Sequence, residues 1–195
     1  MGDRFLDYTN VKSENDAMRE TLKSSLQQRA NRVYSRDEVG DERGDFRLQL
    51  SRMLRETSQA YGQSDNLVSE KQHCDNIRAI SDKLSTQFGK MLKDQRLRYG
   101  TSQKALNLYL KFLRRLGKAG VPPHCPVDGM VLKAAGISGS WTSSDSEPEY
   151  QGWIWNLKRT ANGKSLAQWE YDIWQRSAEQ ILALEGKKSQ KPRCA

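Results

Sequence analysis

No stretch of this sequence approaches the roughly 20 consecutive apolar residues that a membrane helix needs. Hydrophobic residues make up only 36% of the chain. The mean hydropathy is −0.85, a balance that suits a soluble protein with a modest helical core. Met1 to Phe5 lacks the apolar run of a secretion signal, and Leu6 stands where a myristoylation site wants Ser or Thr. Cysteine is scarce. Cys74, Cys125 and Cys194 form an odd set without framework spacing, so reduced thiols in a cytoplasm are the expectation. Two of them follow a histidine, in His73-Cys74 and His124-Cys125. Neighbouring residues on a helix point in different directions, and neither pair has zinc-finger spacing. Buried or half-exposed thiols are therefore expected, with no metal and no cofactor. The sequence also has no Walker loop and no Ser/His/Asp set, which argues against nucleotide-driven and hydrolytic chemistry of those kinds.

What the chain does have is positive charge, and it is unevenly placed. Residues 1–85 hold 14 Lys/Arg and 15 Asp/Glu, and residues 86–136 hold 10 and 2. Residues 137–185 hold 4 and 7, and the tail adds 4 basic residues and no acid. The central segment therefore carries an excess of +8, equal to that of the whole chain. Such an excess attracts a polyanion, DNA or RNA, in a salt-sensitive way. The phosphate-contacting candidates are Arg96, Arg98, Lys111, Arg114, Arg115 and Lys118, together with the turn Gly100-Thr101-Ser102. Amides of that turn, at a helix N-terminus, suit a phosphate.

Apolar spacing near 3.6 residues recurs throughout, and neither a convincing strand nor an internal repeat is present, so the class is all-α. Helices are expected from about Ser13 to Tyr34, from Phe46 to Tyr61 and from Asn66 to Leu92. The clearest runs from Gln103 to Leu116, capped by Thr101 or Ser102 and ended by Gly117. Pro122, Pro123 and Pro126 force a stiff extended loop. A short helix over Val127–Ala135 follows, then helices over Pro148–Ala161 and Leu166–Leu184, joined by Asn162-Gly163, the last capped by Ser165. Residues 1–92 read as an N-terminal helical layer. Residues 93–185 read as a basic, Trp-rich part that joins the first in one unit. Residues 186–195 read as a disordered basic tail. A monomer is expected.

The informative span is Tyr99 to Ile137. A glycine turn leads into a helix that begins Gln103-Lys104, and a proline loop delivers Pro126-Val127-Asp128 to another helix. On the residues alone, Lys104 can equally be a solvated lysine and Asp128 a helix cap. This span resembles the helix-hairpin-helix DNA glycosylase superfamily, and most of all its archaeal oxoguanine glycosylase branch. The superfamily hairpin carries Leu-Pro-Gly-x-Gly, whereas Leu97-Arg98-Tyr99-Gly100 here keeps one glycine and no proline.

The resemblance implies a helix-hairpin-helix-like element, Lys104 as nucleophile and Asp128 as the catalytic carboxylate. The residue types suit the chemistry. A carboxylate stabilises the positive charge that builds on a sugar as its N-glycosidic bond breaks. A neutral lysine amine can attack the anomeric carbon and form a Schiff base, which permits lyase activity. Lys111, two turns further along the same helix face, is a rival nucleophile. The tryptophans all fall in the last third of the chain. Trp141 and Trp153 are candidates to stack on an extruded base, and Trp153 and Trp155 are expected to face different sides of their helix. The implied activity is extrusion of a damaged or modified base from DNA and cleavage of its glycosidic bond. Repair, or defence against phage DNA with modified bases, extends that reading. The alternatives are a non-enzymatic DNA- or RNA-binding module and a helical interaction protein.

Overall fold

The computed structural model describes residues 11–28, 32–35, 42–62 and 68–176. Among these residues the protein is all-α. The helices are α1 (Glu14–Leu26), α2 (Glu42–Ser58), α3 (Glu70–Phe88), α4 (Tyr99–Arg115), α5 (Gly129–Ala134) and α6 (Glu147–Ala161). A seventh, α7, covers residues 166–176. The rest of the helix expected to reach Leu184, and the expected tail, lie outside the described residues. No described helix is long and apolar enough to cross a membrane.

Most helices start at a side-chain cap. The Ser13 hydroxyl accepts the Asp16 amide, Ser69 that of Gln72, and Ser146 that of Glu149. Each satisfies one of the amides that a helix N-terminus leaves without a partner. Asn162, at φ 47°, and Gly163, at φ 85°, turn the chain out of α6. Ser165 then caps α7 through the Gln168 amide. This turn and cap follow the sequence expectation.

Helix α4 is the centre of the fold, with α1 and α3 packed on it and α2 on α3. Leu106, Leu110 and Tyr109 are fully buried, and each such leucine is worth roughly 2–3 kcal/mol over an exposed one. One apolar core runs from Val11 to Ile173. The helix is longer than the sequence suggests. It begins at Tyr99, so Gly100, Thr101 and Ser102 lie inside its first turns and are buried. Neither Thr101 nor Ser102 caps it. The N-cap residue is Arg98, and the Tyr99 amide donates to Asp145 Oδ1 at 2.8 Å instead. Between α3 and α4 lie two short 3₁₀ turns, Gly89–Met91 and Lys93–Gln95, with Asp94 and Gln95 at positive φ. α1 ends at Leu26 rather than Tyr34.

Candidate active site around Lys104 and Asp128

The first turn of α4 carries no side chain at Gly100, and the fold uses that space. A Cβ built there would lie 1.8 Å from the Trp141 carbonyl oxygen. The loop 139–146 therefore rests directly on the helix backbone, and the Gly100 amide donates to Ser144 O at 3.0 Å. Asp145 completes this contact. One carboxylate oxygen accepts the Tyr99 amide, and the other accepts Arg96 Nε at 2.8 Å. The Thr101 and Ser102 amides donate to Arg98 O. The amides expected to hold a phosphate are thus occupied within the fold, which corrects that reading of Gly100, Thr101 and Ser102.

The same loop lays the Trp141 ring beside Lys104, whose Nζ is 4.4 Å from the ring centroid. A lysine at this range over an indole face is attracted by the ring quadrupole. Asp128 approaches from the proline loop. Its Oδ1 accepts the Met130 and Val131 amides at 3.0 and 3.2 Å, capping α5. Its Oδ2 accepts from Lys104 Nζ at 3.2 Å. The helix cap that the residues allow is thus observed, and the same carboxylate also accepts from Lys104. The lysine and aspartate side chains are only 12% and 13% exposed.

Asp128 is held in place by its neighbour's backbone. Gln103 Nε2 donates to Val127 O at 2.6 Å, and the Val127 amide donates back to Gln103 Oε1 at 3.1 Å. This two-point clamp fixes the residue before Asp128 against the residue before Lys104. The clamp opens into a buried network. Asn107 Nδ2 donates to Gln103 Oε1 and to Tyr150 Oη, and Asn107 Oδ1 pairs with His73 Nε2 at 2.9 Å. Tyr150 and Tyr61 accept from Asn107 and Asn76, and their hydroxyls pair with the Nδ1 atoms of the two buried histidines, His124 and His73. Their rings meet edge-to-face at 4.8 Å. Burial pushes His73 down to about 4 and His124 to about 2, so both are neutral near pH 7.

The residues Cys74 and Cys125 are buried thiols. Burial pushes both up from the ordinary thiol value, which keeps them protonated and unreactive. Among the described residues, no group of three or more His, Cys, Asp and Glu side chains is placed to share a metal.

Two turns beyond Lys104, Lys111 Nζ donates to Glu170 Oε1 at 2.6 Å, both groups being buried. Burial pushes the Glu170 carboxyl up, with the Asp128 charge adding to this and Lys111 opposing it. Trp174 faces Lys111, its ring centroid 5.0 Å from Nζ. Glu170 and Trp174 were not singled out from the sequence. Their spacing of four residues, which puts both on one face of α7, was the signal available.

Several predicted phosphate contacts are tied to carboxylates of the same chain. Arg96 pairs with Asp82 and Asp145, Arg98 with Asp94, Lys111 with Glu170 and Lys118 with Glu14. Arg114 and Arg115 lie half-buried at the end of α4, with the Arg115 guanidinium 4.1 Å above the Tyr171 ring. Trp153 is buried, its ring edge where a Cβ on Gly139 would meet it at 3.1 Å, so it offers no face to a base. Trp155 is the exposed tryptophan of α6, beneath Arg159. The geometry thus brings Lys104, Asp128 and Trp141 together and sets Trp153 apart. No protein-family model matches the chain, and no curated protein or solved structure matches it either.

Proposed function

We propose that this chain is a DNA glycosylase-like enzyme that extrudes a damaged or modified base and cleaves its N-glycosidic bond. One observation carries the reading. Lys104, Asp128 and Trp141, drawn from three separate stretches of sequence, meet within 3.2 Å and 4.4 Å of the same ammonium. A nucleophile, its proton acceptor and a stacking surface are the groups that base excision needs.

In this mechanism the Lys104 ammonium passes a proton to Asp128, and the free amine attacks C1′ of the nucleotide. The C1′–Nζ bond forms as the glycosidic bond breaks, and the electron pair leaves with the base, which takes up a proton. Opening of the sugar ring gives a Schiff base between Nζ and C1′, from which β-elimination cuts the strand. Trp141 supplies an aromatic face for the extruded base, and the Gln103 clamp keeps Asp128 in register. A module that only binds nucleic acid relies on unpaired surface cations, whereas Arg96, Arg98, Lys104, Lys111 and Lys118 have carboxylate partners in their own chain.

The test is base release from duplexes that carry a panel of oxidised, alkylated and enzymatically modified bases. Release by the wild type, with loss in both Lys104→Ala and Asp128→Asn, is expected. Full activity in both variants refutes the assignment. Salt-sensitive DNA binding with no product on any duplex favours the binding module.

A further inference from the structure

We propose that the cavity between the C-terminal half of α4 and the start of α7 is a phosphoryl-anion site, occupied by a backbone phosphate of a DNA strand. Naming DNA as the source rests on the glycosylase reading. The anion chemistry rests on the cavity itself.

The cavity measures about 380 Å³, and its walls include Lys111, Arg114, Arg115, Pro122, Gln168 and Tyr171. Residues 111, 114 and 115 lie at i, i+3 and i+4, so they share one face of α4. Three cations thus line a single concavity. Glu170, which is 1% exposed, is turned to Lys111. Arg114 has no carboxylate partner among the described residues, in contrast to Arg96, Arg98, Lys104 and Lys118. Arg115 Cζ stands 4.1 Å from the centroid of the Tyr171 ring. Its burial disfavours the charged form and lowers its pKa despite Tyr171 and Glu170. A guanidinium fork matches a phosphate oxygen pair. Gln168 and Tyr171 add polar groups to the wall.

The position also suits a strand. Lys111 lies seven residues, about 10 Å along the helix axis, from Lys104. A strand covers that distance in about three steps of 3.4 Å. This phosphate site replaces the one expected at Gly100, whose amide is already bonded.

The experiment measures binding of the full chain to an unmodified DNA duplex across a salt series, with inorganic pyrophosphate as a second probe. Arg114→Gln should weaken DNA binding roughly eightfold at 0.1 M salt and lower the log–log salt slope by about 0.9. Pyrophosphate should compete with the duplex on the wild type and compete less well on the variant. Arg114→Gln/Arg115→Gln should double the change in slope. Arg114 is half-exposed, so the single variant keeps the test valid if the double variant fails to fold. Unchanged DNA affinity and slope in Arg114→Gln, together with unchanged pyrophosphate binding, overturn the site. A loss of pyrophosphate binding with DNA binding unchanged overturns the strand as its occupant and assigns a free phosphate. The binding series needs no modified base. Failed excision with the expected slopes therefore counts against the glycosylase reading alone, and normal excision with unaltered slopes counts against this site alone.

Discussion

Replacing Lys111 with methionine removes one half of a buried ion pair and leaves the other half in place. Lys111 and Glu170 are 9% and 1% exposed, and Glu170 Oε2 has no hydrogen-bond partner among the described residues. An uncompensated buried charge of this kind costs about 3–5 kcal/mol. For a chain of this size that lowers the Tm by about 6–20 °C. The penalty depends on pH in a definite direction. Burial raises the folded-state pKa of Glu170 above its ordinary value of 4.5. The folded chain therefore holds this proton more tightly than the unfolded chain. Stability from this group is fully present below the unfolded value and is lost as pH rises through the folded value. Removal of Lys111 raises the folded value further. The deficit of Lys111→Met relative to wild type is thus largest near pH 7–8 and shrinks as pH falls toward 5. Lys111→Met/Glu170→Leu removes both charges and should return to within about 1 kcal/mol of wild type, or exceed it. Urea unfolding of the three proteins at pH 5, 6, 7 and 8 reads all of this. An unchanged midpoint for Lys111→Met at pH 7, or a deficit that does not vary with pH, refutes the reasoning.

Three further outcomes follow from the same geometry. Gln103→Leu strips the partners from the Val127 amide and carbonyl, costs about 3 kcal/mol in urea unfolding and lowers the rate of base release more than substrate affinity; equal affinity and rate in the variant would contradict the clamp. Gly100→Ala drives a methyl into the Trp141 carbonyl at 1.8 Å, so the Tm should fall by about 6 °C or more, and a Tm equal to wild type would show that loop 139–146 does not rest on α4. His73 and His124, pushed down from 6.5 to about 4 and about 2, bind protons less readily when folded. Each should therefore remove about 1.4 kcal/mol of stability per pH unit as pH falls below 6.5, and a flat stability profile from pH 6.5 to 4.5 would contradict two neutral buried histidines.

The local features of the sequence carried the fold well. The amphipathic run of α4, the proline loop before Asp128 and the turn at Asn162-Gly163 all appear where periodicity and turn chemistry put them. The start of α4 did not, because its cap is Asp145, 46 residues away, and local reading favours Thr101 or Ser102. The charge asymmetry of the sequence is partly compensated in space. Carboxylates of Glu14, Asp82, Asp145 and Glu170, all outside residues 86–136, pair with Lys118, Arg96 and Lys111. Lys104 and Asp128 stood out because of the resemblance, and they meet. Glu170 was hidden by its type, since a glutamate on a helix is usually solvated, and only the packing of α7 on α4 buries it. The network of His73, Asn107, Tyr150 and His124 gave no local signal either, because its members lie on four different segments.

With Lys104 proposed as the attacking amine, borohydride reduction of the chain during reaction with a duplex whose base it releases, followed by mass mapping, should give a reduced sugar adduct on Lys104 that is absent in Lys104→Ala. An adduct on Lys111, or base release from an active substrate with no adduct on Lys104, contradicts it.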